Sequence, residues 1–196
     1  MTETRKRPVG VALWLIVTGI IGWYAAFALT IEKFDKLADP DAIASCDFSP
    51  LVQCSTNLNS WQGSAFGFPN PLIGIAAWVA PIVVGFAILA GARFARWFWT
   101  FFWLGYVFAI GFVFWLAFQS IFALNVLCPW CMVTWVMVIP SFFVVTFHAM
   151  KQGVFGSRAV TAGERLMGWT PLMAVLVLAV IAVVAEMRLH VLTTLF

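Results

Sequence analysis

A run of 54 residues without a charged side chain, residues 97–150, is the feature that most constrains the fold of this chain. As a single α-helix it would be about 81 Å long, whereas the hydrocarbon core of a bilayer is about 30 Å thick. The run must therefore reverse and cross a membrane twice. Polar and helix-breaking residues cluster near its middle, and we predict the reversal there, between Gln119 and Pro129.

Three other apolar stretches are long enough to cross a bilayer, and they cover residues 8–31, about 71–92 and about 166–185. The chain is 63% hydrophobic and only 10% charged, which is far less charge than a soluble domain carries. We therefore predict an all-α integral membrane protein with five transmembrane helices in a lipid bilayer. The sequence has no glycine-rich phosphate loop and no long basic run, so nucleic acid is not an expected partner.

We predict one membrane domain over residues 1–196. Within it, residues 10–150 would form a four-helix bundle, residues 32–69 a polar loop and residues 166–190 a fifth transmembrane helix. Cytoplasmic loops of membrane proteins are enriched in Lys and Arg. Eight basic residues fall on one side of these spans (Arg5, Lys6, Arg7, Arg93, Arg96, Lys151, Arg158 and Arg165) and three on the other (Lys33, Lys36 and Arg188).

This charge asymmetry predicts the orientation of the chain. The N-terminus would be cytoplasmic, and the loop over residues 32–69 and the C-terminus would be extracytoplasmic. We expect a multi-pass protein of the inner (plasma) membrane of the cell.

All four cysteines fall on the extracytoplasmic side of this arrangement. Cys46 and Cys54 lie in the polar loop, and the other two form a C-P-W-C motif at residues 128–131. Counting about 20 residues back from Lys151 places this motif at the outer membrane boundary. A C-x-x-C is a redox or metal-binding motif, and extracytoplasmic compartments are oxidising. The sequence therefore points to thiol–disulfide exchange beside lipid.

The C-P-W-C motif also predicts how its two thiols differ. Pro129 is favoured as the first residue of a helix, which would make Cys128 the cap and place Cys131 in the first turn. Both thiols would then lie where the helix dipole favours a thiolate. Cys131 would be about 4.5 Å deeper, so it is better placed to meet a lipid-soluble oxidant. Cys46 and Cys54, in a loop without a strong helix pattern, could move between a soluble partner and Cys128.

Two other interpretations of the cysteines remain open at this point. Both pairs could be structural disulfides, although a C-x-x-C closes a ring too small to stabilise much. A membrane protein that handles a soft metal with four thiolates is the other. His148 and His190 are far from the cysteines in sequence, and we predict no metal site.

Several motifs together resemble those of a known family. Cys46-Asp47 is followed by Cys54-Ser55, with Ser60 and Gly63 at similar positions; residues 68–74 read F-P-N-P-L-I-G; and the C-P-W-C motif opens the fourth span. Over residues 10–150 the chain resembles the vitamin K epoxide reductase family, and more closely its bacterial homologues. The unrelated quinone-linked disulfide generators of the DsbB type also have four core helices and four cysteines. Their C-x-x-C lies in the first outer loop, so the order here is reversed.

The resemblance implies a four-helix bundle around a quinone of the menaquinone or ubiquinone type. It implies that Cys131 faces the quinone, that Cys128 exchanges with Cys54, and that the loop pair takes electrons from a thioredoxin-fold (DsbA-like) protein. The enzyme would thus be a quinone-dependent thiol oxidoreductase that drives disulfide bond formation. The resemblance also implies cofactor-binding roles for Asn70, whose amide would bond a quinone carbonyl, and for Ser60.

Two departures from the family pattern bear on this expectation. Many animal members have a tyrosine four residues after the last cysteine, where this chain has Trp135, whose indole N–H is the corresponding candidate donor to the quinone. Epoxide reduction is therefore not part of the predicted activity. Many bacterial homologues continue into a thioredoxin-like domain, whereas this sequence stops at Phe196. We accordingly expect the thioredoxin-fold partner to be a separate protein.

Overall fold

The computed structural model describes residues 8–191, which leaves the predicted cytoplasmic cluster of Arg5, Lys6 and Arg7 outside the described residues. The described chain is helical. Its helices are α1 (Val9–Ala38), α2 (Ser55–Asn59), α3 (Asn70–Leu89), α4 (Arg96–Phe118), α5 (Pro129–Lys151), α6 (Ser157–Met167) and α7 (Thr170–Leu189), with a 3₁₀ turn at Trp61–Ser64 and a π-helical continuation of α4 at Gln119–Leu124.

Five of the described helices (α1, α3, α5, α7, and α4 with its π-helical continuation) are long and apolar enough to cross a membrane. The predicted all-α fold with five spans is therefore confirmed. Successive spans alternate in direction, so the loop after α1 and the reversal after α4 lie at one end of the bundle. We call this the cysteine end, because it carries all four cysteines; the other end carries Arg93, Arg96 and Lys151.

Helices α1 and α3 approach each other closely because glycines line their interface. A Cβ added to Gly22 would lie 2.2 Å from the ring of Trp78, and one added to Gly74 would lie 2.8 Å from the Cβ of Ala26. Small residues let transmembrane helices pack at short range, where dispersion contacts replace the missing hydrophobic driving force. This tight pair forms one wall of the bundle.

Helix α5 packs against α1, α4, α6 and α7 and is the central element of the bundle. Partly buried hydrogen bonds between side chains fix two of these contacts. The Trp14 indole donates to the Ser141 hydroxyl over 3.0 Å, and the Trp103 indole donates to Thr146 over 3.1 Å. Such bonds are favoured in lipid, where water offers no alternative partner.

The last predicted span starts later than expected. The hydrophobicity pattern predicts that this span begins at about residue 166. In the structure the chain turns at Gly168 and Trp169, and α7 begins at Thr170. Residues 166–167 end the separate helix α6, which the hydrophobicity pattern concealed because the two helices follow each other closely. Helix α6 packs on α5 through Gly163, where an added Cβ would lie 2.8 Å from the carbonyl oxygen of Phe147.

Candidate functional site

The reversal between α4 and α5 occurs where the sequence predicts it, and it positions the C-P-W-C motif. Helix α4 ends in a π-helical turn, and Asn125 then adopts the left-handed conformation with φ 55°. Helix α5 begins at Pro129 with Cys128 as its N-cap. The Cys131 amide donates to the Cys128 sulfur over 3.4 Å. The predicted cap is therefore confirmed, and the first thiol lies at the positive end of the helix dipole.

A short parallel backbone bridge brings the loop pair to this motif. Val52 pairs with Leu127, the residue before Cys128. The Leu127 amide donates to the Leu51 carbonyl over 2.7 Å, and the Gln53 amide donates to the Leu127 carbonyl over 2.9 Å. The bridge fixes the register of two segments that are distant in sequence. The residues that follow it in each segment are therefore neighbours.

The four cysteines consequently form one group. Cys46 and Cys54 are joined by a disulfide, while Cys128 and Cys131 are free thiols. The sulfurs of Cys54 and Cys128 lie 3.5 Å apart. Exchange begins with attack of one sulfur on another, and these two sulfurs are already in van der Waals contact. The arrangement can pass a disulfide from one pair to the other.

Water is almost excluded from three of the four cysteines. Cys54 and Cys128 are fully buried and Cys46 is 3% exposed, in a cluster that also contains Leu29 and Leu58. The sequence predicts a movable loop without a strong helix pattern, but helix α2 starts directly after Cys54, and its Leu58 packs in the same cluster as these sulfurs. In this conformation the loop pair faces the inner pair and not the solvent.

Asp47 organises the loop between the two disulfide-bonded cysteines. Its carboxylate accepts hydrogen bonds from the Cys54 amide over 2.7 Å and from the Ser55 amide over 3.0 Å, and it also accepts one from the Ser55 hydroxyl. Burial by itself would raise the pKa of Asp47, but these hydrogen bonds and the nearby Lys36 charge outweigh it and lower the pKa below its ordinary value.

The metal-handling alternative finds little support in this geometry. The sulfurs of Cys46 and Cys54 and a carboxylate oxygen of Asp47 lie within 4.8 Å of one another. The two sulfurs are bonded to each other, however, and a disulfide sulfur is a poor metal ligand because metals bind the thiolate.

An apolar cavity of about 410 Å³ adjoins the sulfur group within the helix bundle. This volume falls in the range of small-molecule sites. Cys128 and Cys131 lie on its wall, together with the predicted cofactor-binding residues Asn70 and Trp135. Further lining residues come from α1, α3, α4 and α5, among them Ala26, Trp78, Tyr106, Phe112 and Val138. A planar ring can reach Cys131 from this cavity.

The three predicted cofactor-binding residues occupy different surroundings. Asn70 lines the cavity, and its amide donates to the Gln62 carbonyl over 2.6 Å and accepts from the Ala65 amide over 3.0 Å. It thus ties the loop to the start of α3, and its second N–H remains for another acceptor. Trp135 is 5% exposed and lines the cavity.

Ser60 lies away from the cavity wall as the structure describes it. Its hydroxyl donates to the Asn57 carbonyl over 2.7 Å and accepts from the Gly63 amide over 3.2 Å. These bonds cap the 3₁₀ turn at Trp61–Ser64. Ser60 therefore shapes the loop over the cavity, and both of its bonds are local.

Sequence reasoning missed three polar residues of the cavity wall, Asn57, Tyr106 and Thr134. Tyr106 lies within the uncharged run, where nothing distinguishes it from the many aromatic residues around it. Asn57 follows Cys54 by three residues, but its position depends on helix α2, which the loop sequence did not suggest.

A comparison with protein families identifies the family of this chain. The sequence model described as "Vitamin K epoxide reductase family" matches residues 13–146, more than half of the chain. The chain belongs to the vitamin K epoxide reductase family. A search of curated protein sequences finds no significant match to it.

Membership of the vitamin K epoxide reductase family makes this chain an oxidoreductase that connects thiols with a quinone. The site fits both reactants. Four cysteines form one exchange group, and the cavity beside Cys131 has apolar walls with amide groups at Asn57 and Asn70. Apolar walls suit the ring and tail of a quinone, and amide N–H groups suit its carbonyl oxygens. The family also suggests thiol-bearing proteins as partners.

Proposed function

We propose that this vitamin K epoxide reductase family member is a quinone-dependent thiol oxidase. It would reoxidise a separate, extracytoplasmic thioredoxin-fold protein and so drive disulfide formation in exported proteins. The observation that carries the proposal is the 3.5 Å separation between the sulfurs of Cys54 and Cys128, with Cys131 on the wall of an apolar cavity.

The first internal step moves electrons inward. In the reduced loop pair, the Cys54 thiolate attacks the Cys128 sulfur of a Cys128–Cys131 disulfide, forms a Cys54–Cys128 bond and releases the Cys131 thiolate. Cys46 then attacks Cys54 and releases the thiolate of Cys128. The products are a Cys46–Cys54 disulfide and two inner thiols, which is the pairing in the structure.

The second step delivers electrons to the quinone, which acts as a two-electron acceptor. Cys128 and Cys131 together lose two electrons and two protons as their disulfide re-forms, and the quinone gains both to become a hydroquinone. Cys131 would be the thiol nearer the ring, because it lies in the first turn of α5, deeper in the bundle than Cys128, while both thiols line the cavity. The Asn70 amide would donate to a carbonyl oxygen as negative charge develops there.

The partner protein must reach the loop pair from outside. Cys46 is 3% exposed, so the loop has to open before an external thiol can attack it. Ile43 and Phe48, on either side of Cys46, are 84% and 73% exposed. Apolar side chains placed beside a reactive disulfide suit the contact surface of a protein partner.

A single-turnover stoichiometry tests the electron path. Fully reduced protein in detergent would be mixed anaerobically with excess menadione or a one-isoprene ubiquinone, and hydroquinone would be measured by absorbance. Wild type, with four thiols, should yield two hydroquinones. The Cys46→Ser variant keeps only the inner pair as a working dithiol and should yield one. The Cys131→Ser variant should yield none, because it lacks the thiol proposed to react with the quinone and has no complete inner pair.

The three yields separate the possible failures. Hydroquinone formation by Cys131→Ser would contradict the assignment of Cys131 as the electron donor. A yield of one from wild type would mean that the loop pair does not pass electrons to the inner pair, as expected for a structural Cys46–Cys54 disulfide. Failure of wild type with both quinones would overturn the proposed function.

A further inference from the structure

Asn57 carries a polar group that the cysteine relay and the Asn70 contact leave unexplained. It lies on the wall of the apolar cavity. Its side-chain nitrogen is buried and has no hydrogen-bond partner among the residues that the structure describes. A buried donor without an acceptor destabilises the folded state, so such a group calls for a partner outside the chain.

The position of Asn57 is fixed by its backbone. Its carbonyl accepts a hydrogen bond from the Ser60 hydroxyl over 2.7 Å. Gly63 packs so closely on the same carbonyl that an added Cβ would lie 2.3 Å from its oxygen. The next carbonyl, that of Leu58, accepts from the Lys33 ammonium over 2.7 Å. Helix α2 is therefore anchored at Asn57 itself and at the next residue, and these anchors hold Asn57 at the cavity.

The cavity offers no protein acceptor to this nitrogen but suits a ligand that brings one. The other polar groups of the wall belong to Asn70, Tyr106, Thr134, Trp135 and the two cysteines, and none of them forms a hydrogen bond with the Asn57 nitrogen in the part of the chain that the structure describes. Of these groups, the Asn70 amide oxygen already accepts a bond from Ala65. A quinone carbonyl oxygen has two lone pairs and can accept from two N–H donors.

We infer that Asn57 is a second hydrogen-bond donor to the quinone headgroup, beside Asn70, and that helix α2 delivers it. This inference rests on the proposed function. A donor at the carbonyl binds the hydroquinone anion more strongly than the quinone, because charge on the oxygen grows as the ring is reduced. Because α2 starts at Ser55, directly after Cys54, movement of that cysteine during exchange would also move Asn57.

Quinone affinity and thermal stability together test the assignment. Menadione would be titrated into oxidised protein without a thiol reductant, so that it is bound and not turned over. Binding would be followed by quenching of tryptophan fluorescence, since Trp78 and Trp135 line the cavity. The Asn57→Leu variant replaces the amide with an apolar group of similar size. We expect its Kd for menadione to rise about tenfold, the effect of one lost hydrogen bond.

The same variant should keep or raise its thermal midpoint without quinone, because it removes an unpaired buried donor. Asn59→Leu is the matched control, since Asn59 belongs to the same helix but is exposed and does not line the cavity. It should leave the Kd unchanged. In turnover, Asn57→Leu should raise the KM for quinone and still yield two hydroquinones at saturation.

Each contrary result has a distinct meaning. An unchanged Kd in Asn57→Leu, with wild type binding menadione, would overturn this inference and leave the proposed function standing. A lower thermal midpoint in quinone-free Asn57→Leu would show that the amide is a structural group with a partner in the protein. Absence of menadione and ubiquinone binding in wild type would overturn both the inference and the proposed function.

Discussion

Asp47 shows how much of the site depends on one side chain. Its carboxylate accepts three hydrogen bonds from Cys54 and Ser55, seven and eight residues along the chain. It closes the loop that contains the disulfide, and it accepts a hydrogen bond from the amide of Ser55, the first residue of helix α2. This role could not be predicted from the sequence, because Asp47 is one of several acids in the loop and its partners are set by the folded backbone.

The lowered pKa of Asp47 gives the loop a defined pH dependence. Since the folded-state pKa lies below the ordinary value of 3.8, the stabilising effect of the ionised carboxylate is fully present above pH 3.8. It is lost as the pH falls through the folded-state pKa. We expect the protection of the Cys54 and Ser55 amides against hydrogen exchange, expressed relative to the intrinsic exchange rate at each pH, to fall over that acidic range, as measured by mass spectrometry.

The Asp47→Asn variant should show low protection of these amides at every pH, because its amide oxygen is an uncharged and weaker acceptor for them and its amide nitrogen cannot accept from the Ser55 hydroxyl. Helix α6, at the opposite end of the bundle, provides the internal control and should exchange equally in both proteins. Slow exchange in Asp47→Asn would mean that the bridge between Val52 and Leu127 alone orders the loop.

At the scale of elements, the short bridge between Val52 and Leu127 and the start of α5 together decide where the sulfurs meet. The bridge holds the loop against the segment that leads into the helix, and the N-cap at Cys128 points that sulfur toward Cys54. Neither element alone would bring Cys54 within 3.5 Å of Cys128. The contact therefore depends on backbone pairing between segments that are distant in sequence.

Removing one backbone donor should weaken this contact. Proline at position 127 lacks the N–H that donates to Leu51, so Leu127→Pro should lose one of the two hydrogen bonds of the bridge. In a Cys46→Ser/Cys131→Ser background, mild oxidation should join Cys54 to Cys128, and we expect Leu127→Pro to lower the yield severalfold. Peptide mapping under non-reducing conditions measures the yield. Leu127→Ala keeps the N–H and should retain most of it; equal loss in both variants would assign the effect to packing.

The elements also show which features the sequence could predict. The spans, the reversal near Asn125 and the cap at Cys128 were predictable, because hydrophobic length, turn residues and a proline act over a few residues. Helix α2 and the bridge at Val52 were not, because they depend on contacts with α1 and with the segment before α5. The same distinction explains why the four cysteines were found and Asn57 was missed.

For the whole molecule, the orientation in the membrane remains a prediction, and this prediction rests on the distribution of charge. The structure places Arg93, Arg96 and Lys151 at the end of the bundle opposite the cysteines. The positive-inside rule then puts the cysteine end outside the cytoplasm. Such an orientation is what the proposed partner requires, since disulfides form outside the cytoplasm.

Single cysteines in a variant lacking the four native ones can report this orientation. Ile43→Cys, at the cysteine end, should react with a membrane-impermeant maleimide on intact cells, because residue 43 is 84% exposed. Ser157→Cys, in the exposed first turn of α6, should react only after the membrane is permeabilised. The reverse labelling pattern would place the loop in the cytoplasm and contradict the proposed function.

The burial of the loop disulfide has a consequence for selectivity. Cys46 and Cys54 are 3% and 0% exposed, so a small reductant meets a closed surface however strongly it favours reduction. A folded protein that binds Ile43 and Phe48 can use its binding energy to open the loop. Under the proposed function, access and not redox potential would then choose the electron donor. Small thiols outside the cytoplasm would then reduce the loop disulfide only slowly. The enzyme would instead oxidise the proteins that can bind this surface.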